Sequence, residues 1–248
     1  MTIYLGIDVG GSGIKGAPVD LETGEFVSDR LRIPTPSKST PKNVAEVVAQ
    51  IVEHFAEYIG DEGVGLTIPA PVIHGRVPFI ANLHQKWAGL EADTFFTERL
   101  GRPVTLVNDA DAAGLAEVRY GAAHNNQGVV VMTTLGTGIG SAIIHKGVLL
   151  PNTELGHLLL DGQDAEKLAA SSVKDREGLS YEEWAVRLQR YYEHVEMLFS
   201  PDLFVIGGGV SKDWKKFGHL LTLDVPVVPA QLRNKAGIIG AAMVAADS

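Results

Sequence analysis

Near the start of the chain Asp8, Gly10, Gly11, Ser12, Gly13 and Lys15 crowd into one short stretch. Glycines let a backbone approach an anion closely and turn its N–H groups toward it. Lys15 and Ser12 add a charge and a donor, while Asp8 is placed to orient a magnesium ion or its waters. The spacing is neither the Gly-x-x-x-x-Gly-Lys-Ser/Thr phosphate loop nor the Gly-x-Gly-x-x-Gly dinucleotide turn. A second turn of the same kind, Gly136, Thr137 and Gly138, follows later. One such turn is as well read as an ordinary hairpin. Two at matching positions suit a grip on successive phosphates.

Phosphoryl transfer to an alcohol also needs a base beside the hydroxyl. Asn108 and Asp109 stand where a strand pattern passes straight into a helix pattern, so Asp109 is the candidate base and Asn108 a holder of the hydroxyl. Asn and Asp are also favoured helix N-caps, a role that Asp111 fits equally. Glu154 and His157 make a carboxylate–imidazole pair suited to vicinal sugar hydroxyls, or simply a polar loop. Asn82, ahead of Trp87, is a weaker polar candidate. Gly207, Gly208 and Gly209 end a strand pattern and predict a helix start, whose N–H groups suit an anion or a nucleotide. Lys212, Lys215, Lys216, Arg233 and Lys235 come next, either as a track for a polyanion or as a solvated face.

The elements holding these residues alternate regularly. Ile3–Val9, Gly13–Val19 and Phe26–Ile33 predict a three-strand meander. A helix starts near Pro41, with Val44, Val47, Val48, Ile51, Val52 and Phe55 on one face. Strands are predicted at Val64–Ile68, Val104–Asn108, Gly128–Leu135, Gly140–His145 and Leu203–Ile206, and helices at Ala92–Leu100, Trp184–Phe199 and Ala236–Ala246. Trp184, Leu188, Tyr191, Tyr192 and Val195 form an apolar stripe that serves a subunit contact or the core equally well. Two successive β-rich halves, each with a glycine hairpin followed by helices, predict a duplicated two-domain α/β architecture. The boundary is expected near Val107–Ala110.

Bulk properties narrow the class. A chain of 248 residues can bury a sizeable core. It contains no cysteine, which excludes disulfides and thiolate metal sites. The net charge of −9 argues against a broad nucleic-acid surface. No apolar run has the length of a membrane span and the N-terminus has no secretory pattern, so a cytoplasmic protein with no membrane partner is expected.

In order along the chain, these stretches resemble the ROK family of sugar kinases. The likeness rests on Asp8–Lys15, Asn108-Asp109, Leu135-Gly-Thr-Gly-Ile-Gly140, Glu154-x-Gly-His157 and the late triple glycine. Within that family the wording is similar to the actinobacterial polyphosphate-using glucokinases. The resemblance implies an actin-like ATPase (ribonuclease H-like) fold, with two α/β domains and a cleft between them. Residues 1–108, completed by the helix 236–248, would form the smaller domain and 109–235 the larger. It implies transfer of the terminal phosphoryl group of inorganic polyphosphate, or of ATP, to O6 of glucose, giving glucose 6-phosphate. An ATP-dependent glucokinase or glucomannokinase is the nearest alternative. A sugar-sensing repressor would carry a helix-turn-helix domain before the phosphate turn, and an actin-like assembly protein would not need Glu154 and His157.

By the same resemblance Asp109 is the general base, and Asn82, Asn108, Glu154 and His157 hold the sugar. Asp8, Gly10, Gly11, Ser12, Lys15, Thr137 and Gly138 serve the phosphoryl chain and Mg2+, and Gly208 and Gly209 would border an adenosine where ATP is the donor. Many ROK kinases follow the Glu-x-Gly-His motif with a cysteine-rich zinc segment. Here Leu158–Lys167 stands in its place, so zinc is not expected, and Asp161 or Glu166 replaces the pocket residue that follows it. A homodimer is the implied assembly.

Overall fold

The computed structural model describes residues 2–247. Strands β1 (Ile3–Val9) and β2 (Ile14–Asp20) pair antiparallel around the first glycine turn. Strands β3 (Glu25–Phe26) and β4 (Leu31–Ile33) both pair with β2, at its end and its start respectively. The continuous strand expected over Phe26–Ile33 is thus broken in two. Pro18 accepts the Val27 N–H through its carbonyl but has no N–H to return on that side, so the ladder lapses there.

Helix α1 (Pro41–His54) starts where Thr40 Oγ1 accepts the Asn43 N–H at 3.3 Å and proline occupies the first turn. It buries Val44, Val47, Val48, Ile51 and Val52, the stripe its periodicity predicts. The chain continues through α2 (Ala56–Ile59), β5 (Val64–Ile68), a small ribbon of β6 (Arg76–Val77) and β7 (Leu90–Glu91), α3 (Ala92–Leu100), β8 (Val104–Asn108) and α4 (Asp109–Tyr120). Strands β5 and β8 add in parallel beside β1, giving the order β3-β2-β1-β5-β8.

The pattern then repeats. Strands β9 (Val129–Leu135) and β10 (Ile139–His145) pair antiparallel around the second glycine turn, and β11 (Val148–Leu150) extends them. A ribbon of β12 (Leu159–Leu160) and β13 (Gln163–Asp164) leads to α5 (Glu166–Ala169), α6 (Ser171–Glu177) and α7 (Tyr181–Phe199). Strand β14 (Leu203–Gly207), α8 (Trp214–Phe217) and β15 (Val227–Pro229) follow, and α9 (Ala236–Ala246) closes the chain. This sheet reads β11-β10-β9-β14-β15, the strand order of the first sheet, with β14 and β15 again parallel to the hairpin's first strand. The chain divides into two compact units: one runs to Ala116 and resumes at Lys235, and the other spans Glu117–Asn234.

In the first unit α9 lies almost on the backbone of the sheet. A Cβ on Gly6 or Gly65 would overlap the carbonyl of Ile238 or Ala241, and one on Gly240 would overlap that of Ala112 in α4. Only small residues allow that approach, which explains the Gly- and Ala-rich wording of the helix.

In the second unit α7 begins with a reciprocal cap: Ser180 Oγ accepts the Glu183 N–H, and Glu183 accepts the Ser180 N–H. Trp184, Leu188, Tyr191, Tyr192 and Val195 are all fully buried in this unit's own core, so their stripe serves packing rather than a subunit contact. Tyr192 shares a 2.6 Å hydrogen bond with Thr133, whereas the buried Tyr191 hydroxyl has no partner among the described residues. Tyr191→Phe is therefore expected to stabilise the protein by about 1 kcal/mol, raising Tm by about 2–4 °C. A lower Tm in thermal denaturation would count against an unpartnered hydroxyl.

The helix expected after the triple glycine is curtailed. Gly209–Asp213 form a 3₁₀ turn, and α8 adds a single α turn. Trp214 and Phe217 turn inward, Phe217 meeting the rings of Tyr181 and Trp184, while Gly218 packs against the Trp214 indole.

Candidate active site

The register of the first sheet lines up four polar side chains. Thr67 on β5 stands opposite Asp8 on β1, Asp8 opposite Lys15 on β2, and Lys15 opposite Arg32 on β4. Asp8 Oδ1 accepts from the Thr67 hydroxyl at 2.9 Å, and Oδ2 lies 3.1 Å from Lys15 Nζ. A Cβ on Gly237, in the first turn of α9, would come into van der Waals contact with the Asp8 carboxylate.

The glycine turn beside this row is held by its carbonyls. The Gly10 carbonyl accepts from Thr35 Oγ1 (2.5 Å), that of Ser12 from Arg32 Nη2 (2.9 Å), and that of Gly13 from the Gly10 N–H (3.2 Å). The N–H groups of Gly11 and Ser12, both exposed, have no protein acceptor among the described residues. Carbonyl dipoles are tied back and amide dipoles are left outward, which is the polarity an anion requires.

The second turn repeats this device with different residues. The Gly136 carbonyl accepts from the Ser171 hydroxyl (3.1 Å) and the Ser172 N–H (3.0 Å), that of Thr137 from the Ser172 hydroxyl (2.6 Å), and that of Gly138 from the Gly136 N–H (3.0 Å). Gly208 packs against the end of β9 in a left-handed conformation, φ +81°, where a Cβ would overlap the Leu135 backbone. Its carbonyl is engaged by the Ser211 hydroxyl at 2.8 Å. Gly208 and Gly209 are exposed.

Asn108 ends β8 and is buried. Its side-chain oxygen accepts the N–H groups of Ala110 (2.9 Å) and Asp111 (3.1 Å), so the N-cap of α4 falls to Asn108. Half-buried Asp109, the first helical residue, also accepts from the Ala110 N–H at 2.8 Å. In the same unit the exposed Asn82 carries its backbone carbonyl past Gly11.

Glu154 and His157 belong to the second unit. The buried Ser141 hydroxyl on β10 donates to the Thr153 carbonyl (2.7 Å) and accepts the Leu155 N–H (3.0 Å), clasping the backbone on both sides of Glu154. Gly156 is pressed against β10, where a Cβ would overlap the Ile139 carbonyl. His157 Nε2 lies 3.9 Å from the Glu154 carboxylate and Nδ1 3.7 Å from that of Asp164. Burial pushes the Glu154 carboxyl above the ordinary carboxylate range, His157 opposes the shift and Glu166 adds to it. Glu166 also accepts the Ile139 N–H at 3.2 Å, at the exit of the second glycine turn. Asp161 instead pairs with Arg190 on α7 at 2.8 Å, so of the two candidates it is Glu166 that stands beside Glu154.

The basic group divides. Lys216 pairs with Asp213 at 2.8 Å within the second unit, while Lys235 pairs with Glu25 at 2.7 Å within the first. Lys212 and Lys215 are exposed. Among the described residues no helix is long and apolar enough to cross a membrane.

Known proteins are similar to this chain over nearly its whole length. The polyphosphate glucokinase of Mycobacterium tuberculosis is 52% identical over 240 residues, 96% of this chain and 89% of that protein. The solved inorganic polyphosphate/ATP-glucomannokinase from Arthrobacter sp. strain KM is 50% identical with a TM-score of 0.94 over 99% of each chain. A ROK family glucokinase from Streptomyces griseus, solved with glucose and AMPPNP, is 25% identical with a TM-score of 0.83, covering 99% of this chain and 100% of that one. These neighbours place the chain in the actin-like ATPase fold with two domains. The model of the ROK family matches residues 4–172, a span that takes in both glycine turns, Asn108 and Asp109, and Glu154, His157 and Glu166. The chain belongs to the ROK family.

Proposed function

We infer that this chain is a polyphosphate glucokinase: it transfers the terminal phosphoryl group of inorganic polyphosphate to O6 of glucose. The observation that carries the reading is the pair of glycine turns with their carbonyls tied back, in a chain that also sets a carboxylate at a strand–helix junction. ATP is a second donor, a reading supported by the naming of the Arthrobacter relative.

In this mechanism O6 attacks the terminal phosphorus in line, the bridging P–O bond breaks, and the O6 proton passes to Asp109. The shortened chain leaves with the bridging oxygen. Asn108 Oδ1 already caps α4, so its amide group is the donor left for a sugar hydroxyl. Asn82, Glu154, His157 and Glu166 hold the remaining hydroxyls. Gly10, Gly11, Ser12 and Lys15, with Thr137 and Gly138, take phosphate oxygens, so catalysis is mostly positioning and charge stabilisation. Asp8 suits magnesium, which is commonly held by one carboxylate together with waters and substrate phosphates. When bound, the ion neutralises charge on the transferred group.

The raised Glu154 carboxyl has a pH signature. Its ionised form accepts sugar hydroxyls, so the glucose KM is expected to rise as pH falls through the raised Glu154 pKa, at higher pH than for an ordinary glutamate. The linkage to stability has the opposite sense: the contribution is full below the unfolded-state value and is lost as pH rises through the folded one. Glu154→Gln should raise the glucose KM and flatten its acid limb. A limb that survives in that variant belongs to another group.

The reading is tested by glucose 6-phosphate formation with Mg2+, supplying purified polyphosphate and ATP in separate reactions. Turnover with polyphosphate sustains it, and turnover with ATP alone removes the polyphosphate donor. No product with either donor rejects it.

A further inference from the structure

Lys15 and Arg32 face each other directly across β2 and β4. Like charges opposite one another in an antiparallel pair are destabilising, and only one of these two is offset. Lys15 has Asp8 at 3.1 Å, but Arg32 has no acidic partner within ion-pair distance among the described residues. Arg32 is exposed, and its guanidinium lies against Gly13 of the first glycine turn. A Cβ on Gly13 would come within 2.7–2.9 Å of Nε, Nη2 and Cζ, so the glycine is what lets the fork lie there. Nη2 donates to the Ser12 carbonyl, and this is the single protein hydrogen bond of the group among the described residues. Nε and Nη1 keep their donors, on a guanidinium bonded to the same turn whose Gly11 and Ser12 N–H groups have no protein acceptor among the described residues.

We propose that Arg32 is a donor-binding residue: it takes oxygens of a phosphate in the polyanionic phosphoryl donor, alongside the Gly11 and Ser12 amides. This rests on the phosphotransferase reading above. An uncompensated guanidinium, held by its own turn at one nitrogen, presents a planar fork that matches a phosphate. The donor's charge offsets the Lys15–Arg32 repulsion that the fold leaves standing.

The test compares wild type, Arg32→Gln and Arg32→Lys, each first checked for an unchanged thermal transition. Tripolyphosphate affinity is measured by calorimetry at low and high salt, and KM is measured for polyphosphate, ATP and glucose. Arg32→Gln should weaken tripolyphosphate binding and raise the polyphosphate KM by about tenfold or more, with the glucose KM little changed. Its binding should also depend less on salt, because one screened contact is gone. Arg32→Lys should recover part of the affinity and the salt dependence. A rise confined to polyphosphate puts Arg32 on a phosphate beyond those ATP carries, and a rise for both donors puts it nearer the transferred group. Either supports the proposal. Unchanged tripolyphosphate affinity and donor KM overturn it, as does weaker binding with the wild-type salt dependence, which leaves Arg32 a clamp on the turn. Wild-type protein that binds tripolyphosphate through Arg32 yet makes no glucose 6-phosphate rejects the kinase reading and leaves this one standing.

Discussion

Asp109→Asn is expected to lower kcat by roughly 10²–10⁴-fold, the usual weight of a general base, while glucose binding is retained. The substitution is nearly isosteric. The asparagine oxygen can still accept the Ala110 N–H that Asp109 accepts at 2.8 Å, and Asn108 continues to cap α4. The change removes the ability to take the O6 proton and leaves the helix start and the sugar-holding residues in place. Steady-state kinetics with polyphosphate, together with calorimetric glucose binding, separates the two effects. A variant that turns over like wild type would return Asp109 to a local structural role at the start of α4. One that loses glucose binding and activity together would make it a sugar ligand first.

That experiment also probes a choice the sequence leaves open. Asn108, Asp109 and Asp111 are all plausible caps by residue type, and only the chain path at the end of β8 assigns the cap to Asn108. The strands and the α1 stripe are legible because periodicity and the Thr40–Pro41 start are local signals. So are the glycine turns, because clustered glycines between two strand patterns mark a tight hairpin. What holds those turns is not local. Thr35, Arg32, Ser171 and Ser172 reach the turn carbonyls from 20 to 36 residues away, and nothing about a serine or an arginine in isolation announces that role. The lapse at Val27–Arg30 depends on which edge of β2 Pro18 faces. The choice between Asp161 and Glu166 needed the position of Arg190, and the fate of the α7 stripe needed the packing of the second core. Residue type and spacing mark the candidate groups, whereas tertiary register decides how they are held and oriented.

Glu117→Ala should lower stability by about 2–4 kcal/mol, seen as a fall in Tm of about 5–15 °C. Glu117 is the residue at which the second unit begins, and it is 1% exposed, an unusual setting for a carboxylate. One oxygen accepts the N–H groups of Ala122 (2.7 Å) and Gln231 (3.1 Å), and the other accepts that of Leu232 (2.7 Å). The carboxylate thus ties the end of α4 to the segment that leads back toward the first unit at Lys235. Alanine leaves the Ala122, Gln231 and Leu232 N–H groups without this acceptor, a larger penalty than the loss of any single hydrogen bond. Glu117→Gln should cost less, since one oxygen remains, but its new NH2 group must face a backbone N–H. No residue assigned to sugar or phosphate is altered, so below the lowered transition both variants should keep wild-type KM values for glucose and polyphosphate. A transition unchanged in both would mean that water or a rearranged loop satisfies those donors as well as Glu117 does. A rise in either KM well below the transition would instead make the 231–232 segment part of the catalytic geometry.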